Sequence, residues 1–160
     1  MLLALVSKGS DQTVLARLQP TNAFIAGMIL AFTGAMIRIL CFRELGRLFT
    51  FDFCIRKDHK LITTGPYGYV RHPSYTGSVI HMIGAPMCHL SAGSWLMECG
   101  ARSNPVVVLL GLFWLFLAVT RCIYVVIRSK AEDEALRKEF GKQWDVWAAK
   151  VPYRVIPGLF

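Results

Sequence analysis

Apolar positions fall in long blocks along this chain, and the polar positions gather between them. From Pro105 to Thr120 the sequence reads PVVVLLGLFWLFLAVT without a charge, and RCIYVVI carries the run to Ile127 with Arg121 as its only charge. A helix needs about 20 apolar residues to cross the roughly 30 Å hydrocarbon core of a bilayer. The block therefore predicts a transmembrane helix, with Arg121 near its end and its stem reaching toward the interface. Ala23 to Phe42 forms another such block, broken only by Arg38. Within it Ala23, Gly27, Ala31 and Ala35 recur every fourth residue, a spacing that lets a neighbouring helix approach closely. A chain rich in Ala and Gly also produces such a pattern by composition alone. The third block, roughly Tyr75 to Leu96, holds His81, His89, Pro86, Gly77, Gly84 and Gly93, with Gly100 just beyond. Breakers of this kind are tolerated in lipid where protein neighbours satisfy the backbone, so this span is expected to face other helices or a cavity. Met1–Val6 is apolar but too short to span, and it lacks the charged start and cleavage site of a signal peptide.

The segments between the blocks have their own patterns. FTFDFCI alternates as a short strand or interfacial segment does. Gly65-Pro66 marks a turn. Pro73 keeps His72 out of helical geometry and suits the first turn of a helix, which places the start of the middle span near Ser74. From Ala131 to Lys150, Leu136, Phe140, Trp144 and Trp147 share one helical face opposite charged residues. That helix can lie in the membrane interface or pack on the protein's own loops. The closing VPYRVIPGLF carries two prolines, which exclude a helix there. The expected fold is all-α and integral to the membrane: about three transmembrane helices plus a C-terminal amphipathic interfacial helix, in one domain covering all 160 residues.

Charge orients these spans. The net charge is +8. Arg43, Arg47, Arg56, Lys57, Lys60 and Arg71 lie between the first two spans. Arg128, Lys130, Arg137, Lys138, Lys142, Lys150 and Arg154 follow the last, whereas only Arg102 lies between the second and third. Basic segments stay on the cytosolic side, so the N-terminus is expected outside and the C-terminus inside. A basic protein is also a candidate for nucleic-acid binding, but charges that flank membrane spans argue against that partner. The five cysteines have no metal-ligand spacing and read as small hydrophobes, so no metal is expected.

Three polar features then converge on the cytosolic face: Tyr67, Arg71, His72, Ser74 and Tyr75; the pair Arg128 and Glu132; and the loop Asp58-His59-Lys60. Arg128 and Glu132, four apart, read either as a surface ion pair of about 0.3–0.5 kcal/mol or as a guanidinium placed to grip a carboxylate in a bidentate fork. His72 reads as a structural hydrogen-bonder or as a base with a suitable pKa. Tyr67, Tyr69 and Tyr75 suit an interfacial belt, a stacking platform for a purine, or a cation–π contact with a sulfonium.

GPYGYVRHPSYTG resembles the signature of the isoprenylcysteine carboxyl methyltransferases, in which a G-x-Y…R-H-P-S-Y-x-G run precedes a transmembrane helix. RSKAEDEALRKEFGKQWDVWAAKVPYRVIP is similar to that family's R-x-x-x-E…L…F-G…Y…VP…P ending, with Trp144 and Trp147 where aromatic residues, often tyrosine, are usual. The match covers roughly Leu45 to Pro157, which would be the catalytic module. The resemblance implies S-adenosylmethionine as co-substrate, the C-terminal carboxylate of a prenylated cysteine as acceptor, membrane lipid as surroundings and the endoplasmic reticulum as location. It implies that His59, Lys60, Leu61 and Ile62 line the cofactor site through backbone and apolar contacts and that Tyr67 contacts the cofactor. His72, Pro73, Ser74 and Tyr75 would wrap it, Glu132 would hold a positive or hydroxyl group of it, and Arg128 would engage the substrate carboxylate. Some family members have further helices ahead of this module, where one full span precedes it here.

A C-terminal carboxylate, with an ordinary pKa of about 3.3–3.7, needs no general base to act as nucleophile near neutrality. It needs desolvation and aim, and positioning of that kind supplies up to roughly 7–11 kcal/mol in ideal cases. The alternatives are a related membrane methyltransferase acting on a phospholipid amine or a small prenylated acid, and a non-catalytic membrane protein that keeps the fold.

Overall fold

A computed structural model describes residues 16–48, 60–98 and 104–159. The described residues are helical, with no strand among them. They form the α-helices α1 (Asn22–Leu45), α2 (Pro73–Leu90), the short α3 (Trp95–Glu98), α4 (Pro105–Phe140) and α5 (Lys142–Lys150), with 3-10 turns at Gly46–Leu48 and Gly65–Gly68. The FTFDFCI segment, with Asp58 and His59, lies outside the described residues.

Local chemistry sets the helix ends. Asn104 caps α4: its side-chain oxygen accepts from the Val106 amide at 3.0 Å and its carbonyl from the Val107 amide at 3.0 Å, while Pro105 occupies the first helical position. Thr21 caps α1 through a 3.3 Å bond from the Phe24 amide to its hydroxyl. Pro73 opens α2, as expected from its fixed φ. α2 carries Pro86 inside it and stops at Leu90, before the end expected from the apolar pattern. Beyond it Gly93 turns the chain at φ 79°, where an added Cβ would lie 2.3 Å from the Gln19 carbonyl oxygen.

Two of the described helices are long and apolar enough to cross a membrane: α1 with its following turn, and α4. α4 has 36 residues and is about 54 Å long, more than the hydrocarbon thickness. No residue in its apolar window is buried by protein. Leu109, Phe113, Leu115 and Phe116 all stand exposed. The expected third span and the start of the expected C-terminal helix are thus one continuous helix. The division falls later, at Gly141, whose φ of 51° takes the chain out of the helix while its amide still bonds the Arg137 carbonyl at 2.9 Å. α5 then restarts, with Trp147 buried on the protein's own residues.

The chain forms two compact units, Met1–Phe32 with Ile80–Thr120 and Thr33–Val79 with Arg121–Phe160. In the first, α1 and α2 touch backbone to backbone. A Cβ on Gly84 would lie 2.4 Å from the Ala31 nitrogen and 2.5 Å from the Gly27 oxygen, and one on Gly27 would lie 2.7 Å from the Met87 Cβ. In the second, a Cβ on Gly77 would lie 2.6 Å from the Gly34 oxygen. Small residues therefore do mediate the approach: Gly27 and Ala31 of the expected stripe meet Gly84, while Gly34 rather than Ala35 meets Gly77. Gly27, Gly34 and Cys41 are buried, while Ala23 is exposed and Ala35 half-buried. Steps of four over-rotate by about 40° each on a helix of 3.6 residues per turn, whereas steps of seven drift by only about 20°.

Candidate active site

The second unit contains the polar cluster. Val125, Ser129 and Asp133 are the buried residues of α4, four apart along one stripe. The stripe brings two adjacent carboxylates, Glu132 and Asp133, to the turn that starts α2. His72 lies between them. Its Nε2 is 2.9 Å from Asp133 Oδ1 and its Nδ1 is 3.3 Å from Glu132 Oε2. The histidine is 7% exposed and Asp133 is 3% exposed, so neither has much water to fall back on. Tyr75, in the first turn of α2, donates its hydroxyl to Glu132 Oε1 at 2.7 Å. The same oxygen accepts from Arg128 Nε at 2.9 Å. Arg128 also bonds the Tyr124 hydroxyl and lies over that ring at 5.6 Å, and Arg121 lies over the ring at the same distance.

Asp133 is the hub of the cluster. Its Oδ2 accepts from Arg71 Nε at 3.1 Å and from Arg154 Nε at 2.9 Å, while Oδ1 faces His72. Arg71 reaches further, donating through Nη1 to the Val151 and Pro152 carbonyls at 2.8 Å each. The backbone repeats the tie: the Arg71 amide bonds the Tyr153 carbonyl at 2.9 Å and the His72 amide bonds the Arg154 carbonyl at 2.8 Å. Thr76 Oγ1 adds a 2.5 Å bond to the Val155 carbonyl. The non-helical tail is thus a strap held against the Arg71-His72-Pro73 turn, and its prolines keep it out of a helix and free to bond there.

Electrostatics follow from this geometry. Burial alone would lower the pKa of His72, but its hydrogen bonds to Asp133 and Glu132 and their charges outweigh burial and raise it. An imidazole between two ionised carboxylates needs a proton on both nitrogens to satisfy both. With His72 protonated, Arg71, His72, Arg128 and Arg154 gather around Glu132 and Asp133, a grouping rich in cations. Tyr67 stands beside it. Burial first, then Cys41 and the carboxylates of Glu132 and Glu44, push its phenol well above the ordinary range. Its carbonyl accepts from Trp147 Nε1 at 3.2 Å, which lets Trp147 be buried with its polar atom satisfied.

The structure thus brings together His72, Tyr75, Arg128 and Glu132 from separate parts of the sequence, with Tyr67 beside them. Pro73 is buried at the helix start. Ser74 contributes its carbonyl, which accepts from Arg38 Nη1 at 3.4 Å. Lys60 is exposed and Leu61 and Ile62 are half-buried on the approach to the turn. His59 lies outside the described residues. Sequence reasoning passed over Asp133, Arg154 and the strap. Asp133 sits in the charged run AEDEA and looks solvated, yet it falls four and eight residues after Ser129 and Val125, and that register was the available signal.

Residues 26–138 match the Isoprenylcysteine carboxyl methyltransferase (ICMT) family. The chain belongs to that family. It is 31% identical over 130 residues to protein-S-isoprenylcysteine O-methyltransferase B of Arabidopsis thaliana, a match spanning 79% of this chain and 55% of the relative. It is 31% identical over 127 residues to a probable protein-S-isoprenylcysteine O-methyltransferase of Oryza sativa subsp. indica, over 78% of this chain and 56% of that protein. A 7-dehydrocholesterol reductase of Arabidopsis thaliana is 30% identical over 108 residues, 65% of this chain but 20% of the reductase. The chain therefore spans about half the length of the methyltransferases it matches. Membership in this family and two helices able to cross a bilayer make it an integral membrane protein.

Proposed function

We propose that this chain is a single methyltransferase domain that transfers a methyl group from S-adenosylmethionine to the C-terminal carboxylate of a prenylated cysteine, at the cytosolic face of the endoplasmic reticulum membrane. The observation that carries the reading is the Arg128–Glu132–Tyr75–His72 cluster on the polar half of α4. Its donor set suits both partners. Glu132 offers a carboxylate for an ammonium or hydroxyl group. Tyr75 and Tyr67 offer aromatic faces for a cationic or planar group, and the Arg128 guanidinium suits an anionic acceptor. S-adenosylmethionine supplies an electrophilic methyl on a sulfonium.

The chain's own residues do the rest. Arg128, aimed by Glu132 and Tyr124, orients the substrate carboxylate so that one oxygen faces the methyl carbon. A C–O bond forms as the C–S bond breaks, and no proton moves. Arg128 is half-buried, which favours orientation over complete neutralisation of the nucleophile. A membrane setting serves both partners: the bare apolar half of α4 suits lipid, where a prenyl chain partitions, and the polar half suits the aqueous co-substrate. An amine acceptor would have to be deprotonated and would meet a cation-rich site, so a phospholipid amine fits less well than a carboxylate. The likeness to sterol reductases covers only a fifth of those proteins and concerns the shared module.

The test is transfer of labelled methyl from S-adenosylmethionine to N-acetyl-S-farnesyl-cysteine in membranes, with Arg128→Ala alongside. A base-labile product that is lost in the variant is the expected result. Bound S-adenosylmethionine without product would move the acceptor to another lipid, and absence of binding would end the reading.

A further inference from the structure

His72 is held by two carboxylates of different standing. Glu132 is half-buried and shared with Arg128 and Tyr75, which the proposed function places at the ligands. Asp133 is buried behind the ring, and its described contacts are His72, Arg71 and Arg154. None of those contacts takes Asp133 to the side of the ring where Glu132 lies, so it acts on ligands through His72 or the strap. The groups facing His72 are Asp133 and Glu132 from α4, with Arg128 behind Glu132. Arg71 comes from its own turn and Arg154 from the strap, and Tyr75 stacks on the ring at 5.7 Å.

From this arrangement we infer that Asp133 is a positioning residue: it sets the protonation and the orientation of the His72 ring, and through Nδ1 it fixes the seat of Glu132. The two oxygens of Asp133 divide the work. Oδ2 is committed to two guanidinium groups and Oδ1 to His72 Nε2. An asparagine cannot do both, because one of its two ends is an NH2 donor. Two arginines claim the single oxygen, which turns the NH2 toward Nε2. Nε2 must then give up its proton and accept, leaving neutral imidazole with its one proton on Nδ1. The ring keeps its bond to Glu132 but loses its charge. Because Glu132 is the group read above as holding the methyl donor, this inference rests on the proposed function for its kinetic consequence but not for its chemistry at His72.

The experiment uses the full chain in detergent or nanodiscs with 15N-labelled histidine, resolving the ring nitrogens of His72 by comparison with His72→Gln. In the native protein both nitrogens should show the imidazolium signature at neutral pH. In Asp133→Asn, Nε2 should show the unprotonated signature at the same pH. The apparent KM for S-adenosylmethionine should rise roughly 10-fold, because the bond that seats Glu132 weakens from an ion pair to one from a neutral donor, with a much smaller change in KM for the prenylcysteine. Arg154→Gln breaks the strap limb alone. It should lower the melting temperature and leave the His72 signature as imidazolium. A native His72 that titrates near its ordinary value of about 6.5 would overturn the inference without any variant, as would an imidazolium retained in Asp133→Asn. Should the signatures change as expected while the native protein forms no methyl ester, the control of His72 by Asp133 stands and the methyltransferase reading fails.

Discussion

The two ends of α4 are built on opposite terms. From Pro105 to Thr120 the helix is apolar all round and no residue of its apolar window is buried by protein. From Arg121 onward charged residues enter, and the helix buries Val125, Ser129 and Asp133. The first end needs an apolar solvent, because a bare row of Leu and Phe is unfavourable in water by about 25 cal/mol per Å². The second end needs partners, because a buried carboxylate without them is costly. One is broken by adding a charge and the other by removing one.

The largest effect is expected at the polar end. Arg71→Ala leaves Asp133 buried with one guanidinium fewer and frees the Val151 and Pro152 carbonyls, and should cost about 3–5 kcal/mol in unfolding measured in detergent. An effect below about 1 kcal/mol would mean that water reaches the cluster and screens it as at a surface. At the apolar end Leu115→Arg puts a charge mid-span and should cost about 2.5–3.5 kcal/mol in insertion, read from the membrane-integrated fraction. Normal insertion would show that this half of α4 does not face lipid. Gly84→Val forces α1 and α2 apart and should cost about 1–3 kcal/mol, seen as a lower melting temperature. Tyr75→Phe removes one donor to Glu132 and should cost about 1.5 kcal/mol, with a larger loss of cofactor affinity than of acceptor affinity.

The smallest effect is graded with pH. The folded-state pKa of His72 is raised, so its ion-pair stabilisation is complete below the ordinary value of 6.5 and fades as pH climbs through the raised one. Melting temperature measured from pH 6 upward should fall at the alkaline side in the native protein and stay flatter in His72→Gln.

How far the sequence reveals this molecule depends on the kind of interaction. The long apolar helices are visible because their signal is local and repeated over many residues, as in PVVVLLGLFWLFLAVT. The turn at His72-Pro73 is visible because proline restricts its neighbour. The meeting of His72 with Glu132 could be expected from shared membrane topology, but not from spacing. Asp133 and Arg154 were hidden because their meaning comes from contacts between residues 61 and 21 positions apart in the chain. The continuity of α4 from its apolar run to Phe140 is not legible in hydropathy, which ends at Ile127 while helix propensity does not, and Gly141 is where the backbone changes.

The strap joins Arg71 to Val151 across a sequence separation of 80 residues. The chain is made from its N-terminus, so α1 and α2 exist before residues 151–155 are made. Helices can be threaded into the bilayer while the Arg71 guanidinium still has no carbonyls to bind. The polar cluster therefore closes only after the strap is made, and a chain released at Lys150 would carry its apolar helices but be unfinished at the site.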